Sequence, residues 1–336
     1  MPAAMIPVHN PACSSPQPKA YRTHAAGRMT GPAKAADHAW CATIAYQGVT
    51  GAFGELACRR AVPAARAIGF PTIAEAVAAV HRNEVDAVVL PCENLLAGRV
   101  PDIHLLLPES ALFIVGEHFE RIELHLLARP GARLADIRRV YSHPVALQQV
   151  RRYLAGHGMQ GIGMANTAMA AAFVASDAGS DEAAIASRQA AISYDLEILG
   201  ENIEDDRCNI TRFYILASRP RRLERTSARL LTTMLFEVRN MPSALFRAIS
   251  GFAANEINLT RLESYLAGGS FVATRFLCEF EGDPQSGHVR RAVTHLRKNT
   301  TGCRILGAYP VDADGPRPMA APGKPVGTRR NPEGGT

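Results

Sequence analysis

Three polar side chains with complementary chemistry lie close together ahead of an apolar run. Asn209, Thr211 and Arg212 fall within four positions, and the apolar residues 213–217 follow at once. An amide, a hydroxyl and a guanidinium can together hydrogen-bond to and charge-pair with a small polar anion. The apolar run predicts a buried strand, so we expect Thr211 and Arg212 at its start, where a loop can direct side chains into a cleft. Asn209 to Thr211 is also an N-x-T triplet, a pattern that recurs by chance.

Strands and helices alternate upstream of this segment and predict the scaffold that holds it. Residues 42–46 form a predicted strand, and Gly48, Gly51 and Gly54 lead from it into a helix. A turn of this kind either presents backbone N–H groups to an anion or simply joins a strand to a helix. Residues 85–90 are almost wholly apolar, as expected for a strand buried on both faces of a parallel sheet. The alternation predicts an α/β fold class for this part of the chain.

Other polar and glycine residues follow further predicted strands. They are Glu93, Asn94 and Gly98; Ser142 and His143; and Thr167. Ligands bind at the carboxyl ends of strands in open α/β sheets, which makes Glu93, Asn94 and Gly98 candidates for a binding site. Pro144 suits the first position of a helix, so the two residues before it either bind an anion at the helix N-terminus or only cap the helix.

The composition argues against several classes of partner. The net charge is +6, but residues 1–42 carry four basic residues against one acidic residue, and residues 313–336 carry four against two. The remaining chain is near neutral, so we expect no nucleic-acid partner. No run approaches the roughly 20 apolar residues of a membrane-spanning helix, so we expect no membrane partner either. Seven scattered cysteines without CxxC spacing predict reduced thiols in a cytoplasmic protein, and no metal site.

A second module follows an arginine-rich segment. Residues 218–229 predict a polar linker, and residues 230–312 predict the order strand, helix, strand, strand, helix, strand. That βαββαβ order is ferredoxin-like. Residues 1–42 and 313–336 show no apolar period and predict disordered tails.

Five segments in order along the chain resemble the prephenate dehydratase family. The NxTRF signature matches residues 209–213, and the other segments are IAYQGVTGAF (44–53), PCENLLAGRV (91–100), YSHP (141–144) and NTA with the alanines that follow (166–172). The resemblance covers residues 43–310. It implies the two-lobed fold of periplasmic binding proteins for a catalytic domain at residues 43–217, and a regulatory ACT domain at residues 230–312. At position 95 the family usually has Ser or Thr, whereas this chain has Leu95.

The resemblance also implies an activity and a set of residues that carry it. It implies a monofunctional lyase that removes water and CO2 from prephenate to give phenylpyruvate, without a cofactor or metal. Thr211 is then the expected donor to the leaving oxygen, whereas Arg212 either pairs with a substrate carboxylate or anchors its loop. The residues expected to bind substrate are Glu93, Asn94, Gly98, Ser142, His143, Thr167, Asn209, Arg212 and Phe213.

Regulation by the pathway's end product is implied as well. The resemblance predicts a homodimer or homotetramer whose activity phenylalanine lowers. The expected effector-binding residues are Asn240, Ser243, Ala244, Leu245, Glu263 and Ser264. Two alternatives stay open at this point. The substrate could be arogenate instead of prephenate, or the chain could be a non-catalytic amino-acid-binding regulatory protein in which Leu95 marks lost activity.

Overall fold

The computed structural model describes residues 40–221, 229–266, 273–312 and Gly315. Most of the two predicted tails and of the predicted linker therefore lies outside the described residues. Strands and helices alternate through the first part of the chain. In chain order they are β1 (Thr43–Gln47), α1 (Phe53–Ala61), β2 (Arg66–Phe70), α2 (Ile73–His81), β3 (Ala87–Asn94), β4 (Gly98–Arg99), α3 (Pro101–Leu106), β5 (Phe113–Arg121), β6 (His125–Ala128), β7 (Arg139–Ser142), α4 (Pro144–Gln149), α5 (Arg151–Gly156), β8 (Gln160–Gly163), α6 (Thr167–Ser176), β9 (Glu182–Ala186), α7 (Arg188–Ser193), β10 (Glu197–Gly200) and β11 (Ile210–Ala217).

The first sheet is built from parallel βαβ units, as the sequence predicts. Its strand order is β2-β1-β3-β11-β5, with the short β4 paired antiparallel to β3. Strand β1 pairs in parallel with both β2 and β3. Helix α2 begins where the Thr72 hydroxyl accepts a hydrogen bond from the backbone N–H of Glu75 and so caps the helix. The sheet therefore presents the carboxyl ends of β1 and β3 at one edge.

The second sheet forms the other lobe and has the strand order β10-β6-β9-β7-β8. Two clusters of buried apolar side chains pack around it. A helix begins at Pro144 as predicted, and the structure divides the helical segment that follows into α4 and α5 at Val150. The backbone of Val150 leaves the helical region, with φ −125° and ψ 21°, and its β-branched side chain is fully buried in the core. Core packing of this residue thus overrides helix continuity.

The third sheet belongs to the βαββαβ module, and the predicted element order is confirmed. Its strands are antiparallel in the order β13-β14-β12-β15, which is the ferredoxin-like arrangement. Aromatic and aliphatic side chains of β12 and β14 pack against both helices. The elements are β12 (Leu230–Glu237), α8 (Ala244–Ala253), β13 (Leu259–Leu266), β14 (Ala273–Glu281), α9 (Gly287–Lys298) and β15 (Gly302–Pro310).

The chain divides into two compact units whose boundaries differ from the predicted domains. The first unit comprises Met1–His104 and Glu120–Arg212, and the second comprises Leu105–Phe119 and Phe213–Thr336. Within the second unit the guanidinium of Arg304 on β15 donates to the carbonyl of Leu107 at 2.9 Å. Such contacts explain why a segment that precedes β6 groups with the ferredoxin-like module.

One strand is missed, one begins earlier than predicted, and one expectation about the cysteines is wrong. Strand β2 is not predicted, because it is partly exposed and shows no apolar run. Strand β11 begins at Ile210, three residues before the apolar run, so Thr211 and Arg212 lie at the start of the strand as expected. Cys208 is disulfide-bonded, which contradicts the expectation of reduced thiols throughout, whereas the other described cysteines are free: Cys41, Cys58, Cys92, Cys278 and Cys303.

Among the described residues, no helix combines the length and the apolar character needed to cross a bilayer.

Candidate active site

A buried hydrogen-bond network joins the ends of β3, α4 and β11. The side-chain amide nitrogen of Asn94 donates to Asn209 Oδ1 at 2.8 Å and to Thr211 Oγ1 at 3.0 Å. The amide nitrogen of Asn209 donates in turn to Gln149 Oε1 at 2.8 Å. We call Asn94, Gln149, Asn209 and Thr211 the amide network. Because α4 packs on the second sheet and β3 lies in the first, the network connects the two lobes.

The network sets the hydrogen bonding of the Thr211 hydroxyl. Thr211 is 8% exposed, and one lone pair of its oxygen is occupied by the N–H of Asn94. A hydroxyl that accepts from a fixed amide N–H directs its own proton away from that amide. The Thr211 O–H is thereby available as a donor to a bound molecule.

The amide groups of Asn94 and Asn209 are engaged within the protein. Asn94 Oδ1 accepts from the backbone N–H groups of Leu96 at 3.0 Å and Ala97 at 2.8 Å. Asn209 is fully buried. The structure therefore brings both predicted residues to Thr211, in an arrangement that positions its hydroxyl and holds the turn after β3.

Arg212 lies on the other side of the strand from Thr211. Successive side chains of a strand point to opposite faces, so Asn209, Thr211 and Phe213 share one face and Arg212 has the other. Arg212 is only 5% exposed, and its backbone carbonyl accepts from the thiol of Cys92 at 3.4 Å.

Ser142 and His143 directly precede α4 as predicted, but they differ in whether the side chain can still bind a ligand. Ser142 is fully buried and donates to the carbonyl of Ile185 at 2.6 Å. His143 caps α4, because its Nδ1 accepts from the backbone N–H of Val145 at 3.3 Å. Burial lowers the pKa of His143 below its ordinary value, which favours the neutral ring at pH 7. With Nδ1 as acceptor, the ring proton lies on Nε2. Of Ser142 and His143, the Nε2–H of His143 is therefore the donor left for a ligand.

The glycine-rich turn after β1 is held by a buried carboxylate. Glu55 Oε2 accepts from the backbone N–H of Gly51 at 2.7 Å, and Ser187 Oγ donates to the carbonyl of the same glycine at 2.6 Å. Gly51 has a φ of +87°, and a Cβ there would lie 2.7 Å from the backbone of Ala190. A residue larger than glycine is excluded at this point. Of the two alternatives for the turn, the contacts support a connection between β1 and α1, with Gly51 packed against Ala190.

The turn after β3 carries Leu95 at the position where the family usually has a hydroxyl-bearing Ser or Thr. The Leu95 side chain is 59% exposed, while its backbone N–H donates to the carbonyl of Ile210 at 2.9 Å. Gly98 has a φ of +80° with open space around it, so it serves the turn into β4. Glu93 pairs with Arg99 in that hairpin and is half-buried. Thr167 is half-buried at the start of α6, where Asn166 accepts from the backbone N–H of Met169.

An open cavity of about 860 Å³ adjoins the amide network, and Gln149 contributes to both. Leu96, Ala97 and Val145 give the cavity an apolar side, whereas its charged lining carries both signs: Arg151, Arg152, Asp205 and Asp206. Gln149 is not among the site residues predicted from the sequence. The sequence does place Gln149 in the short helix that Pro144 begins, directly after the predicted site residues Ser142 and His143.

The predicted effector residues divide between two faces of the third sheet. Ser243 adopts a left-handed conformation with φ 62° at the N-cap of α8 and makes no side-chain cap hydrogen bond, so backbone N–H groups of the first helical turn are left to other partners. Ser264 pairs with Phe276, a core residue on the helix side, whereas Glu263 pairs with Leu277 on the opposite face. The Glu263 carboxylate is held there by Arg261 Nε at 2.7 Å. Only Ser264 therefore faces the side of the sheet on which α8 packs.

The described residues contain no group of three or more His, Cys, Asp or Glu side chains that could hold a metal ion. The donors at the site are instead a hydroxyl, carboxamides and a neutral imidazole, which suit a polar organic substrate. A two-lobed α/β module with such a site, followed by a ferredoxin-like module, defines a class of small-molecule enzymes with an appended domain. The model of the family "Prephenate dehydratase" matches residues 44–221. This chain belongs to the prephenate dehydratase family, which is a family of lyases.

Relatives with assigned activities support this placement. A "Bifunctional N-acyl-homoserine lactone acylase/prephenate dehydratase" of Komagataeibacter europaeus is 47% identical over 267 residues, covering 80% of this chain and 95% of that protein. An "Arogenate dehydratase/prephenate dehydratase 2, chloroplastic" of Arabidopsis thaliana is 37% identical over 278 residues, covering 80% of this chain and 73% of that protein. The crystal structure of a prephenate dehydratase from Arthrobacter aurescens in complex with L-Phe is 29% identical, with a TM-score of 0.74, and the match covers 82% of this chain and 92% of that one.

Proposed function

We propose that this chain catalyses the decarboxylating dehydration of prephenate to phenylpyruvate. The C–CO2 bond breaks, its electron pair moves into the ring, and the ring hydroxyl leaves with one added proton as water. Charge grows on the departing oxygen, so a donor aimed at that oxygen lowers the barrier. The observation that carries the proposal is the Thr211 hydroxyl, oriented as a donor by the 3.0 Å hydrogen bond from Asn94.

The remaining predicted residues serve binding and positioning in this proposal. The His143 Nε2–H is the proposed donor to a substrate carboxylate. Asn94 and Asn209 act through Thr211, and Arg212 anchors β11. Residues 43–217 form the proposed catalytic domain and residues 230–312 the regulatory domain, although the segment 105–119 groups with the second compact unit.

Purified protein incubated with prephenate should release phenylpyruvate, measured by its absorbance in alkali. Arogenate in a parallel reaction tests the second substrate, since arogenate dehydratases are among the relatives. Phenylpyruvate from prephenate with little product from arogenate is the expected result. Turnover of arogenate alone would mean that arogenate, and not prephenate, is the substrate. Turnover of neither compound would favour a non-catalytic amino-acid-binding protein.

The apolar lining of the large cavity supports a second candidate activity, hydrolysis of an acyl amide. Leu96 and Val145 are 42% and 37% exposed and line the large cavity beside the amide network. Exposed apolar side chains beside a polar site could receive an acyl chain, and one relative is named as an N-acyl-homoserine lactone acylase. Release of homoserine lactone from a long-chain N-acyl-homoserine lactone, reduced in Leu96→Ser, would support this activity. Equal release by both forms, or no release, would exclude this role of the cavity.

Phenylalanine is the proposed effector, and a homodimer or homotetramer the proposed assembly. The uncapped N-terminus of α8 can accept a carboxylate. Large apolar side chains on α8 and β13 are exposed and support self-association: Phe246, Leu262 and Leu266. Mass measurement in solution, with and without phenylalanine, tests the assembly. The proposal includes a cytoplasmic location, supported by the free cysteines.

A further inference from the structure

Strand β11 passes from one compact unit of the chain into the other. Its residues up to Arg212 belong to the first unit, and those from Phe213 onward belong to the second. Thr211, the proposed donor to the leaving oxygen, therefore lies two residues before the strand enters the unit of the ferredoxin-like module. A displacement of β11 within the second unit reaches Thr211 through the continuous backbone of the strand.

Tyr214 joins β11 to the third sheet within the second unit. Its side chain is fully buried, and its hydroxyl accepts from a guanidinium nitrogen of Arg261 on β13 at 3.0 Å. The ring meets that of Tyr309 on β15 edge to face, with a distance of 6.4 Å between the ring centroids. Arg261 lies two positions before Glu263 on β13, so both side chains occupy the face of the sheet that points away from α8.

The guanidinium of Arg261 is held in place by a carboxylate. Arg261 Nε donates to Glu263 Oε1 at 2.7 Å, and a terminal guanidinium nitrogen lies 2.6 Å from the same oxygen. The two side chains are only 7% and 12% exposed. Paired contacts between a guanidinium and a carboxylate fix the orientation of the guanidinium as well as attracting it. We call Tyr214, Arg261 and Glu263 the arginine bridge.

Buried hydrogen bonds between strands connect the arginine bridge to the rest of the third sheet. Glu279 on β14 is 1% exposed and accepts from Thr260 Oγ1 of β13 at 2.7 Å and from the Tyr309 hydroxyl at 3.0 Å. The Tyr309 hydroxyl also bonds to Thr233 Oγ1 of β12 at 2.8 Å. A buried polar network of this kind is rigid, so a displacement of β13 is shared by the strands beside it and by the ring against which Tyr214 packs.

Strand β13 also carries residues of the predicted effector site. Ser264 faces α8, at whose N-terminus Ser243 makes no side-chain cap hydrogen bond. The sequence predicts Glu263 as an effector residue too, whereas the structure turns it to the other face, where it pairs with Arg261. Neighbouring residues of one strand thus face the proposed effector site and the arginine bridge.

We propose that the arginine bridge carries the effector response to the active site, with Tyr214 as a positioning residue that acts on Thr211 through β11. An effector at the N-terminus of α8 that displaces β13 moves the guanidinium bonded to Tyr214. The resulting shift of β11 changes the hydrogen bond from Asn94 that orients the Thr211 hydroxyl. Such coupling requires that the effector bind two arrangements of β13 with unequal affinity. The role assigned to Tyr214 rests on the proposed function, because Thr211 is the residue on which it acts.

Tyr214→Phe tests the bridge, because it removes the hydroxyl and keeps the ring against Tyr309. Phenylalanine should lower kcat/KM of the wild-type full chain, and coupling of this kind typically amounts to about 5–150-fold. In Tyr214→Phe this factor should fall several-fold, while kcat without phenylalanine stays close to that of the wild type. Tyr153→Phe, the same substitution on α5, is the matched control and should respond as the wild type does. Equal inhibition of Tyr214→Phe and wild type would overturn the proposal.

Hydrogen exchange gives a second readout that does not depend on catalysis. Exchange of the backbone amides of β11 should change on addition of phenylalanine in the wild type and stay unchanged in Tyr214→Phe. Exchange at the first turn of α8 should change in both proteins, because the effector still binds. An unresponsive β11 in the wild type, or an equal response of β11 in both proteins, would refute the bridge. If neither prephenate nor arogenate is turned over but this difference in exchange is observed, the proposed reaction fails and the bridge is supported.

Arg261→Lys tests the other end of the hydrogen bond. Lysine keeps a positive charge beside Glu263 but lacks the planar fork that contacts Glu263 and Tyr214 together. The single variant should therefore lose part of the effector response. If both substitutions act on one hydrogen bond, the double variant Tyr214→Phe/Arg261→Lys should lose no more of the response than Tyr214→Phe alone. Additive losses would show that the two residues act by separate routes and would contradict the bridge.

Discussion

The side-chain amide of Asn94 donates to the hydroxyl of Thr211 at 3.0 Å, across 117 residues of sequence. The same nitrogen donates to Asn209, and Asn94 Oδ1 accepts from two backbone N–H groups of the turn that follows β3. This relationship sets the direction of the Thr211 proton and ties it to a turn whose sequence departs from the family pattern.

Thr211→Val should lower kcat with folding intact. Valine preserves the shape of the side chain but removes the donor to the leaving oxygen, and loss of one such donor typically costs about 10²–10³ in rate. Steady-state kinetics with prephenate and a melting curve measure the two properties. Thr294→Val, at an exposed position on α9, is the matched control and should leave kcat unchanged. A kcat near wild type in Thr211→Val would remove Thr211 from the mechanism.

Asn94→Asp should also lower kcat, because a carboxylate cannot donate to Thr211 Oγ1. If Asn94 acts only through Thr211, the double variant Asn94→Asp/Thr211→Val should be little slower than Thr211→Val alone. Additive losses in this double-mutant cycle would show that Asn94 touches the substrate directly, as the resemblance to the family implies.

Leu95→Ser should leave activity equal or higher. The side chain is 59% exposed, and the backbone contact to Ile210 does not depend on it. Kinetics with prephenate check this, and Leu95→Ala separates loss of the leucine from gain of the hydroxyl. An inactive Leu95→Ser with an inactive Leu95→Ala would assign the leucine a contact with substrate.

Phenylalanine should lower the activity of the full chain, and Ala244→Asp should abolish this response without changing basal kcat. The substitution places a carboxylate in the first turn of α8, where the carboxylate of the effector is proposed to bind, and like charges repel. Ala253→Asp, at the other end of the helix, is the control. Inhibition curves decide the question: equal sensitivity in Ala244→Asp and wild type would move the effector elsewhere.

Stability should fall as the pH drops from 7 to 5, in part through His125. Burial lowers the pKa of this residue in the folded state, so the unfolded chain binds more protons between the two pKa values. The contribution of His125 to the free energy of unfolding is fully present above its pKa in the unfolded chain, about 6.5. It is lost as the pH falls through the pKa of His125 in the folded protein. Denaturant unfolding at both pH values should show a smaller fall in His125→Gln than in wild type, with His288→Gln, at an exposed position, as control. An identical fall in all three proteins would contradict a buried neutral His125.

The sequence predicts those parts of the fold that follow from local pattern. Thr72 and Ser187 are small polar residues just ahead of helical periods, and both cap the helices expected of them. The order of the ferredoxin-like module follows from alternating apolar runs. Strand β2 escapes prediction because its side chains are partly exposed, and its place is set by pairing with β1 instead.

The sequence predicts only part of the candidate site, because its hydrogen bonds join residues that are far apart in the chain. Residue types identify Thr211, Asn94 and Asn209, but the partner of each depends on pairings more than 50 residues apart, which no local pattern contains. Gln149 is missed on this account. Strand alternation, by contrast, could have placed Arg212 opposite Thr211 once β11 was known to begin at Ile210.

The grouping of residues 105–119 with the C-terminal module has a consequence for synthesis of the chain. When the ribosome has produced residue 212, the first unit is complete, but the strand that follows α3 still lacks its partners in that module. Leu112, Ile114 and Val115, all buried in the finished protein, must wait for about another hundred residues before they are covered. During that interval β5 can already pair with β11, but its apolar side chains stay uncovered, and exposed apolar surface of this kind is bound by chaperones and promotes aggregation.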